Sequence, residues 1–232
     1  MNIAILLSGG TGQRLGGDIP KQYIKVEDKP IIIYSLETLE NSNWIDKIQI
    51  VAHNQWIHEI EKWAAEYCVD KKICGYSAPG ENRQMSIYNA LLDINAFAKP
   101  NDNVFIHDSA RPNLDLSTIQ ASFDALSGYD GVIPVLPMKD TVYLSKEGQQ
   151  IDALLDRKQV FAGQSPETFV YGKYLKANQR LMASGEILNI NGSTEPAILA
   201  GMKMHMISGD ERNYKITTGD DLDRFKEQIK AK

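Results

Sequence analysis

The 232-residue chain is poor in cysteine, has no long apolar run and carries no excess of positive charge. Its two cysteines, Cys68 and Cys74, are not spaced as C-x-x-C, and we expect both to be reduced core residues. No run of about 18 apolar residues predicts a membrane span, and no basic segment of a secretory signal precedes Ile3. The net charge of -5 argues against nucleic acid as a partner, since that role needs a broad excess of Lys and Arg. We therefore expect a soluble, cytoplasmic protein in which any anion site is local.

Apolar strands alternate with amphipathic helices over more than half of the chain, which is typical of a parallel sheet with helices on both faces. The length and the 43% hydrophobic content fit one domain, and we place no boundary within 1–232. Ligands of such sheets bind beyond the carboxyl ends of the strands. The predicted strands are 2–8, 46–53, 72–76, 103–107 and 131–137, and the predicted helices are 31–42, 55–67, 83–97 and 115–127, followed by helices near 171–184 and 194–201, a strand at 202–208 and a closing helix.

The alternation stops at about 138–163. Thr141 to Leu144, a Lys146-Glu147-Gly148 turn and the residues from Ile151 onward predict an antiparallel hairpin. An exposed hairpin leaves strand edges that a partner subunit can cover, so we predict a protruding β-arm and a homodimer. The alternative is a surface loop without a partner.

A glycine-rich segment follows the first predicted strand. It runs Ser8-Gly9-Gly10-Thr11-Gly12-Gln13-Arg14-Leu15-Gly16-Gly17 and is closed by Pro20-Lys21-Gln22. Glycines let backbone N–H groups approach an anion, while Arg14 and Lys21 supply charge for a polyphosphate. The dinucleotide fingerprint G-x-G-x-x-G fails at Leu15, and the ATPase loop G-K-S/T fails where Asp18 follows Gly17. The segment therefore predicts a phosphate-binding loop of another class, the alternative being a plain strand-to-helix turn.

Two further motifs follow strand ends. In Phe105-Ile106-His107-Asp108-Ser109-Ala110-Arg111-Pro112, the carboxylate of Asp108 is a candidate Mg²⁺ ligand, or it caps the next turn or pairs with Arg111. His107 is expected to be structural, because phosphate displacement depends mainly on positioning and charge neutralisation. In Pro79-Gly80-Glu81-Asn82-Arg83-Gln84-Met85-Ser86, turn amides and the Ser86 hydroxyl could contact a nucleobase. The alternative is an N-capped helix with Arg83 in solvent.

Taken together and in this order, these motifs resemble the cytidylyltransferases that activate small polyol phosphates. The family includes the methylerythritol phosphate enzymes of isoprenoid synthesis and the ribitol-5-phosphate enzymes of wall polymer synthesis. The resemblance covers Asn2 to about Leu222 and implies a Rossmann-like nucleotidyltransferase fold. It also implies a homodimer joined by the arm, with CTP and a polyol phosphate as substrates and Mg²⁺ as the metal.

The resemblance assigns roles residue by residue. It implies catalytic roles for Arg14, Lys21 and Lys215, and a metal-binding role for Asp108. It implies nucleotide contacts for Ser8, Gly9, Gly10, Gly12, Gly80, Glu81 and Ser86, and acceptor contacts for Arg111, Thr141, Arg157, Ser165 and Lys215. Without the resemblance, Arg157 and Lys215 would be interpreted as surface charges.

The chain departs from the family pattern at four places. It has Ser8-Gly9 in place of small residues or alanines, Pro79-Gly80 in place of Gly-Gly, Ser165-Pro166-Glu167 in place of T-P-Q, and Ser193-Thr194-Glu195-Pro196 in place of T-D-D/E. Glu167 adds an acid near a phosphate site, which bears on the substrate more than on the reaction.

The choice of acceptor and of enzyme class rests on short sequence signals. Arg83-Gln84 and Gly209-Asp210 favour the methylerythritol enzyme, whereas Gly163-Gln164 favours the ribitol one. A glycosyltransferase would use a D-x-D motif after a strand, but the D-x-D at Asp221 falls at a predicted helix start, where it caps. A dinucleotide oxidoreductase lacks its fingerprint, and a silent nucleotide-binding module is the remaining alternative.

Overall fold

The chain, seen in a computed structural model, is described for residues 1–10 and 19–231. The helices are α1 (Ile31–Asn41), α2 (Asn54–Glu66), α3 (Arg83–Asp93), α4 (Leu116–Asp124), α5 (Tyr171–Ser184), α6 (Glu195–Leu199) and α7 (Gly219–Lys230). The strands are β1 (Asn2–Leu7), β2 (Lys25–Val26), β3 (Lys29–Pro30), β4 (Lys47–Val51), β5 (Ile73–Ser77), β6 (Asn103–Asp108), β7 (Gly131–Pro137), β8 (Val142–Leu144), β9 (Ala153–Leu155), β10 (Phe161–Gly163), β11 (Glu167–Val170) and β12 (Met204–Ser208).

One eight-stranded sheet organises the described residues in the order β10-β7-β11-β6-β1-β4-β5, with β12 paired to β7. The pairs β1–β4, β1–β6, β4–β5 and β12–β7 are parallel. The central strands β1, β4 and β6 are buried on both faces, which explains their largely apolar sequences. The α/β fold with a largely parallel sheet agrees with the fold predicted from the sequence.

The core lies on both faces of the sheet because alternate residues of each strand point to opposite sides. From β1, Ala4 and Leu6 pack with side chains of α1, α2 and α4. Ile3 and Ile5 pack instead with side chains of α3 and α5. This packing fixes the strand ends and therefore the loops that follow them.

The sequence did not reveal two strands, β10 at the end of the predicted arm and β11 after it. Strand β11 lies between β6 and β7 and is antiparallel to both, and β10 pairs antiparallel with β7. The predicted hairpin is present as β8 paired with β9, outside the main sheet. The arm therefore ends before Phe161, rather than at about 163, because β10 belongs to the main sheet.

The expectation of two core cysteines is wrong. Both thiols are free, but Cys68 is exposed and Cys74 is half-buried. Cys68 has a positive φ of 57°. It lies in the turn that follows α2 and not in the core. None of the described helices is both long and apolar enough to cross a membrane.

Candidate active site

A cavity of about 540 Å³ opens beyond the carboxyl ends of the parallel strands. Leu7 of β1, Val51 of β4 and Asp108 of β6 bring their strand ends to its wall. Loops diverge at this edge of an α/β sheet, and ligands of such sheets bind there. The other lining residues are Gly9, Gly10, Lys21, Gln22, His53, Gly80, Glu81, Asn82, Arg83, Ser86, Ser109, Ala110 and Lys215.

Hydrogen bonds from Gln22 and Tyr23 fix the backbone of Ser8 and Gly10, where the glycine-rich segment begins. Gln22 Nε2 donates to the carbonyl oxygens of Ser8 and Gly10 at 2.8 and 2.7 Å. The Tyr23 hydroxyl donates to the Ser8 carbonyl at 2.9 Å and accepts from the Ser8 hydroxyl at 3.0 Å. The Ser8 side chain is therefore buried and bonded within the protein, and Gly9 and Gly10 line the cavity in its place.

The turn before α3 is closed by its own polar groups. The Gly80 N–H donates to Ser86 Oγ at 2.9 Å, and Ser86 Oγ donates to the Asn82 carbonyl at 2.9 Å. Asn82 is the N-cap, since its Oδ1 accepts from the Met85 N–H at 2.7 Å. A Cβ at Gly80 would lie 2.3 Å from the Met85 Cβ, so only glycine fits this tight turn. Gly80, Glu81 and Ser86 thus meet at the cavity, and their contact with a nucleotide stays a prediction.

Asp108 is a buried carboxylate to which basic side chains bind on both oxygens. Its Oδ1 accepts from Arg83 Nε at 3.1 Å and its Oδ2 accepts from Lys215 Nζ at 2.9 Å, while Arg111 Nε lies 3.8 Å from Oδ2. Burial acts to raise the pKa of Asp108, but Arg83 and Lys215 outweigh burial and hold that pKa well below its usual range. Asp108 is therefore ionised at neutral pH and binds cations in preference to protons.

Arg83 and Glu167 are part of this centre, and sequence analysis gave neither of them a site role, although it noted Glu167 as an acid near a phosphate site. Besides Asp108, Arg83 reaches Glu167, with Nη2 at 3.4 Å from Oε2. Glu167 is 8% exposed and accepts a hydrogen bond from Ser193 Oγ. Burial raises the pKa of Glu167, an effect that Arg83 opposes. The sequence carried little signal for this pair, since Glu167 begins a four-residue strand, Glu167–Val170, that was not predicted.

His107 supports the loop and does not line the cavity. It is fully buried, and burial lowers its pKa to about 4, so it is neutral near pH 7. Its Nε2 lies 3.1 Å from the Arg111 carbonyl, and its Nδ1 lies 3.3 Å from Ser165 Oγ. The Ser165 hydroxyl also accepts from the Asp108 N–H at 3.1 Å. These contacts fix the backbone that presents Asp108.

The structure brings some predicted site residues together and places others elsewhere. Gly9, Gly10, Lys21, Gly80, Glu81, Ser86, Asp108 and Lys215 line the cavity. Ser8, Arg111 and Ser165 lie behind its wall, with Arg111 Nη1 donating to the Asn213 carbonyl at 2.7 Å. Gly12 and Arg14 lie outside the described residues.

Thr141 and Arg157, which were predicted to contact the acceptor, are on the arm. Both are exposed, and Arg157 Nη1 donates to the Lys139 carbonyl at 2.7 Å. Neither residue lines the cavity of its own chain. If these two residues contact the acceptor, the arm must either move or reach the cavity of a second chain.

Enzymes that displace pyrophosphate from a nucleoside triphosphate place basic side chains around the phosphates, and this edge of the sheet has that character. The fold of the chain and the basic side chains around this cavity are those of a nucleotidyltransferase. The sequence matches the profile described as "IspD: 2-C-methyl-D-erythritol 4-phosphate cytidylyltransferase" over residues 2–229. The chain therefore belongs to the IspD family and is a cytidylyltransferase.

Individual relatives carry two substrate names. The chain is 31% identical over 219 residues to the 2-C-methyl-D-erythritol 4-phosphate cytidylyltransferase of Geotalea uraniireducens, covering 94% of this chain and 92% of that protein. It is 29% identical over 230 residues to the ribitol-5-phosphate cytidylyltransferase of Streptococcus agalactiae serotype V, covering 97% and 94%. The similarity to both names confirms the reaction class predicted from the sequence.

Solved structures agree on the fold. The 4-diphosphocytidyl-2C-methyl-D-erythritol synthase of Anaerococcus prevotii superposes with a TM-score of 0.83 at 22% identity, covering 99% of this chain and 98% of that one. The 2-C-methyl-D-erythritol 4-phosphate cytidylyltransferase of Francisella tularensis superposes with a TM-score of 0.80 at 25% identity, covering 98% and 99%.

Proposed function

We propose that this enzyme transfers the cytidylyl group of CTP to 2-C-methyl-D-erythritol 4-phosphate in the cytoplasm, where CTP is available. An oxygen of the acceptor phosphate forms a bond to the α-phosphorus of CTP, and the bond from that phosphorus to the pyrophosphate oxygen breaks. The products are a CDP-polyol and pyrophosphate. The observation that carries the proposal is that Gly9 and Gly10, at the start of the glycine-rich segment, meet Asp108 and its basic partners Arg83 and Lys215 in one cavity at the carboxyl edge of the sheet.

The lysines of the cavity have separate roles in this proposal. Lys21 and Arg14 bind the triphosphate and take up the charge that grows on the leaving pyrophosphate. Lys215 holds the acceptor phosphate close to the α-phosphorus, so that attack is in line. An acceptor phosphate is already ionised at neutral pH, which is why no general base is needed and why a neutral, buried His107 is compatible with the reaction.

Mg²⁺ fits this donor set if the nucleotide brings most of its ligands. Mg²⁺ prefers one or two carboxylates together with phosphate oxygens and waters. The described residues contain no group of three or more His, Cys, Asp or Glu side chains that could hold a metal by themselves. Asp108 would supply one oxygen. When bound, the ion would neutralise charge on the triphosphate.

The arm supports a proposed homodimer. Four large apolar side chains of the arm are exposed, namely Tyr143, Leu144, Ile151 and Leu154. Tyr143 and Leu154 are cross-strand partners on one face of the hairpin, and exposed apolar surface of this kind marks an interaction site. We assign this surface to a second copy of the chain.

Ribitol 5-phosphate is the second candidate acceptor, favoured by the relatives of that name. The enzyme, CTP and Mg²⁺ are incubated with each polyol phosphate, and pyrophosphate release is followed. We expect release with 2-C-methyl-D-erythritol 4-phosphate and little with ribitol 5-phosphate. The reverse result would transfer the assignment to ribitol, and release with neither would overturn both. Lys21→Ala protein prepared in parallel controls for contaminating nucleotide hydrolysis.

A further inference from the structure

Arg83 connects two carboxylates, only one of which has a role in the function proposed above. Its Nε donates to Asp108 and its Nη2 to Glu167, at 3.1 and 3.4 Å. The side chain of Arg83 is about one-third exposed, whereas those of Asp108 and Glu167 are 10% exposed. Glu167 is held in turn by Ser193, which is 2% exposed. The Arg83 guanidinium in the cavity wall is thus shared between Asp108, which faces the cavity, and Glu167, which lies behind it.

The basic side chains leave little of Asp108 available to a metal ion. Arg83 binds one carboxylate oxygen and Lys215 binds the other. Because each oxygen already accepts a hydrogen bond from a cation, a metal that arrives with the nucleotide competes with Arg83 and Lys215 for this carboxylate. Releasing the Arg83 guanidinium, which is about two-thirds buried, without an acid partner is unfavourable, because an incompletely hydrated charge then lacks compensation. Glu167 is already in contact with Arg83 and removes this cost.

We propose that Glu167 is a positioning residue that retains Arg83 while Asp108 exchanges this guanidinium for the metal accompanying CTP. The inference rests on the function proposed above. It implies that the Glu167 carboxylate weakens the hold of Arg83 on Asp108 and lowers the positive charge of the cavity wall. Both effects favour a metal at Asp108 and disfavour an anion that arrives without one. Arg83, a cation, instead disfavours a metal at Asp108 and favours an anion that arrives without one.

The test measures how strongly Mg²⁺ and CTP promote each other's binding. Calorimetry gives the Kd of CTP in EDTA and in excess Mg²⁺, and the ratio of the two values reports the coupling. For Glu167→Gln, which keeps the shape and removes the charge, we expect this ratio to fall about 5- to 10-fold, at the low end of typical coupling energies. Binding of CTP in EDTA should be as tight as in the unmutated enzyme or tighter. For Arg83→Gln we expect the ratio to rise and binding in EDTA to weaken.

Opposite shifts in the two variants separate this role from structural damage, which would weaken CTP binding in both solutions together. Glu227→Gln, which removes an exposed acid on α7, is the control and should keep the ratio within about twofold, since it does not change the charge of the cavity wall.

The remaining outcomes distinguish the inference from the proposed function. Failure of the unmutated enzyme to bind CTP in either solution would overturn both. Normal coupling that is unchanged in Glu167→Gln and in Arg83→Gln would overturn the inference alone. If Glu167→Gln does not fold, a lower ratio in Arg83→Gln would overturn the inference by itself.

Discussion

Lys21 and Lys215 enter the same cavity from opposite ends of the chain. Lys215 is positioned by its neighbours, because the Ile216 N–H donates to the Ala110 carbonyl at 2.8 Å and the Asn213 side chain donates to the Ser165 carbonyl at 2.8 Å. The segment that carries Lys215 is therefore attached to the loop that carries Asp108. The positive charge of Lys215 is therefore held at a fixed place beside Asp108, although the two residues are far apart in the sequence.

Replacing either cavity lysine with alanine should slow the reaction. We expect Lys21→Ala and Lys215→Ala to lower kcat by roughly 10²- to 10³-fold, as loss of a preorganised donor to a developing charge does in other enzymes. Lys25→Ala, four residues after Lys21 and exposed on β2, is the matched control and should retain full turnover. Steady-state pyrophosphate release is the measurement. A Lys21→Ala enzyme with nearly unmutated kcat would contradict the assignment.

Single motifs predicted the part of the site that each strand end presents. Asp108 ends β6 and Gly80 follows β5, so the loops that carry them could be placed at one edge of the sheet. The Arg83–Glu167 pair could not be predicted in this way. It depends on β11 lying beside β6, which joins residues 84 positions apart. An isolated arginine after a turn is more often a solvated surface charge.

At the scale of elements, the loops after β1 and β5 approach so closely that side-chain size decides whether they fit. A Cβ added at Gly9 would lie 2.5 Å from the Cβ of Pro79. Gly9 and the residue after Pro79, Gly80, both line the cavity. This contact therefore sets the distance between the two loops on which the nucleotide is proposed to bind.

The contact between Gly9 and Pro79 predicts a compensating pair of substitutions. Gly9→Ala should raise the KM for CTP by about 10-fold or more, because small displacements of binding groups are costly. Adding Pro79→Gly removes the clashing Cβ and should recover most of the loss, which a double-mutant cycle quantifies. Gly219→Ala, at the start of α7 with no described atom within 4 Å of the added Cβ, is the control and should behave as the unmutated enzyme. Additive losses in the double variant would show that the contact has no such role.

The N-terminus of α7 gives a pH-dependent prediction. Burial acts to raise the pKa of Asp221, but hydrogen bonds from Thr217 and Thr218 outweigh it and lower the pKa to about 2. Because this pKa lies below the unfolded value near 4, Asp221 stabilises the fold above about pH 4 and loses this effect as the pH falls towards 2. Asp221→Asn should therefore cost about 1 kcal/mol at pH 7, as loss of a cap does, and much less near pH 2.

Urea unfolding at several pH values measures this difference for Asp221→Asn. The matched control is Asp223→Asn, which removes an exposed ion pair with Lys226 in the same helix and should change stability by less than about 0.5 kcal/mol at every pH. A cost for Asp221→Asn that does not change with pH would contradict the capping role of its charge.

How well each helix or strand could be predicted depends on how far apart in the sequence the residues that stabilise it lie. Strands β1, β4, β5, β6 and β7, the helices between them and the capped α7 were predicted, because apolar periodicity and capping residues act within a few positions, whereas the two-residue strands β2 and β3 were not. Strands β10 and β11 are three and four residues long and follow the arm. Their existence depends on pairing with β6 and β7, which local periodicity does not encode.

At the scale of the whole molecule, the arm raises the question of which cavity Arg157 serves. Thr141 and Arg157 flank a hairpin that is separate from the main sheet, and neither lines the cavity of its own chain. The apolar side chains of the same hairpin are exposed, with Leu154 at 67%. We expect Leu154→Glu to yield a monomer in sedimentation velocity, because a charge at a buried apolar interface is costly. A dimer of unchanged stability would place the interface elsewhere.

A mixed dimer tests whether Arg157 acts across this interface. Lys21→Ala and Arg157→Ala chains, each inactive when alone, are unfolded together and refolded to form mixed dimers. If Arg157 serves the partner's cavity, a mixed dimer has one complete site, made of Lys21 from the Arg157→Ala chain and Arg157 from the Lys21→Ala chain. Random pairing in a twofold dimer then restores about a quarter of the unmutated activity. If Arg157 serves its own chain, both sites of every mixed dimer lack one residue, so activity stays at the level of the separate variants.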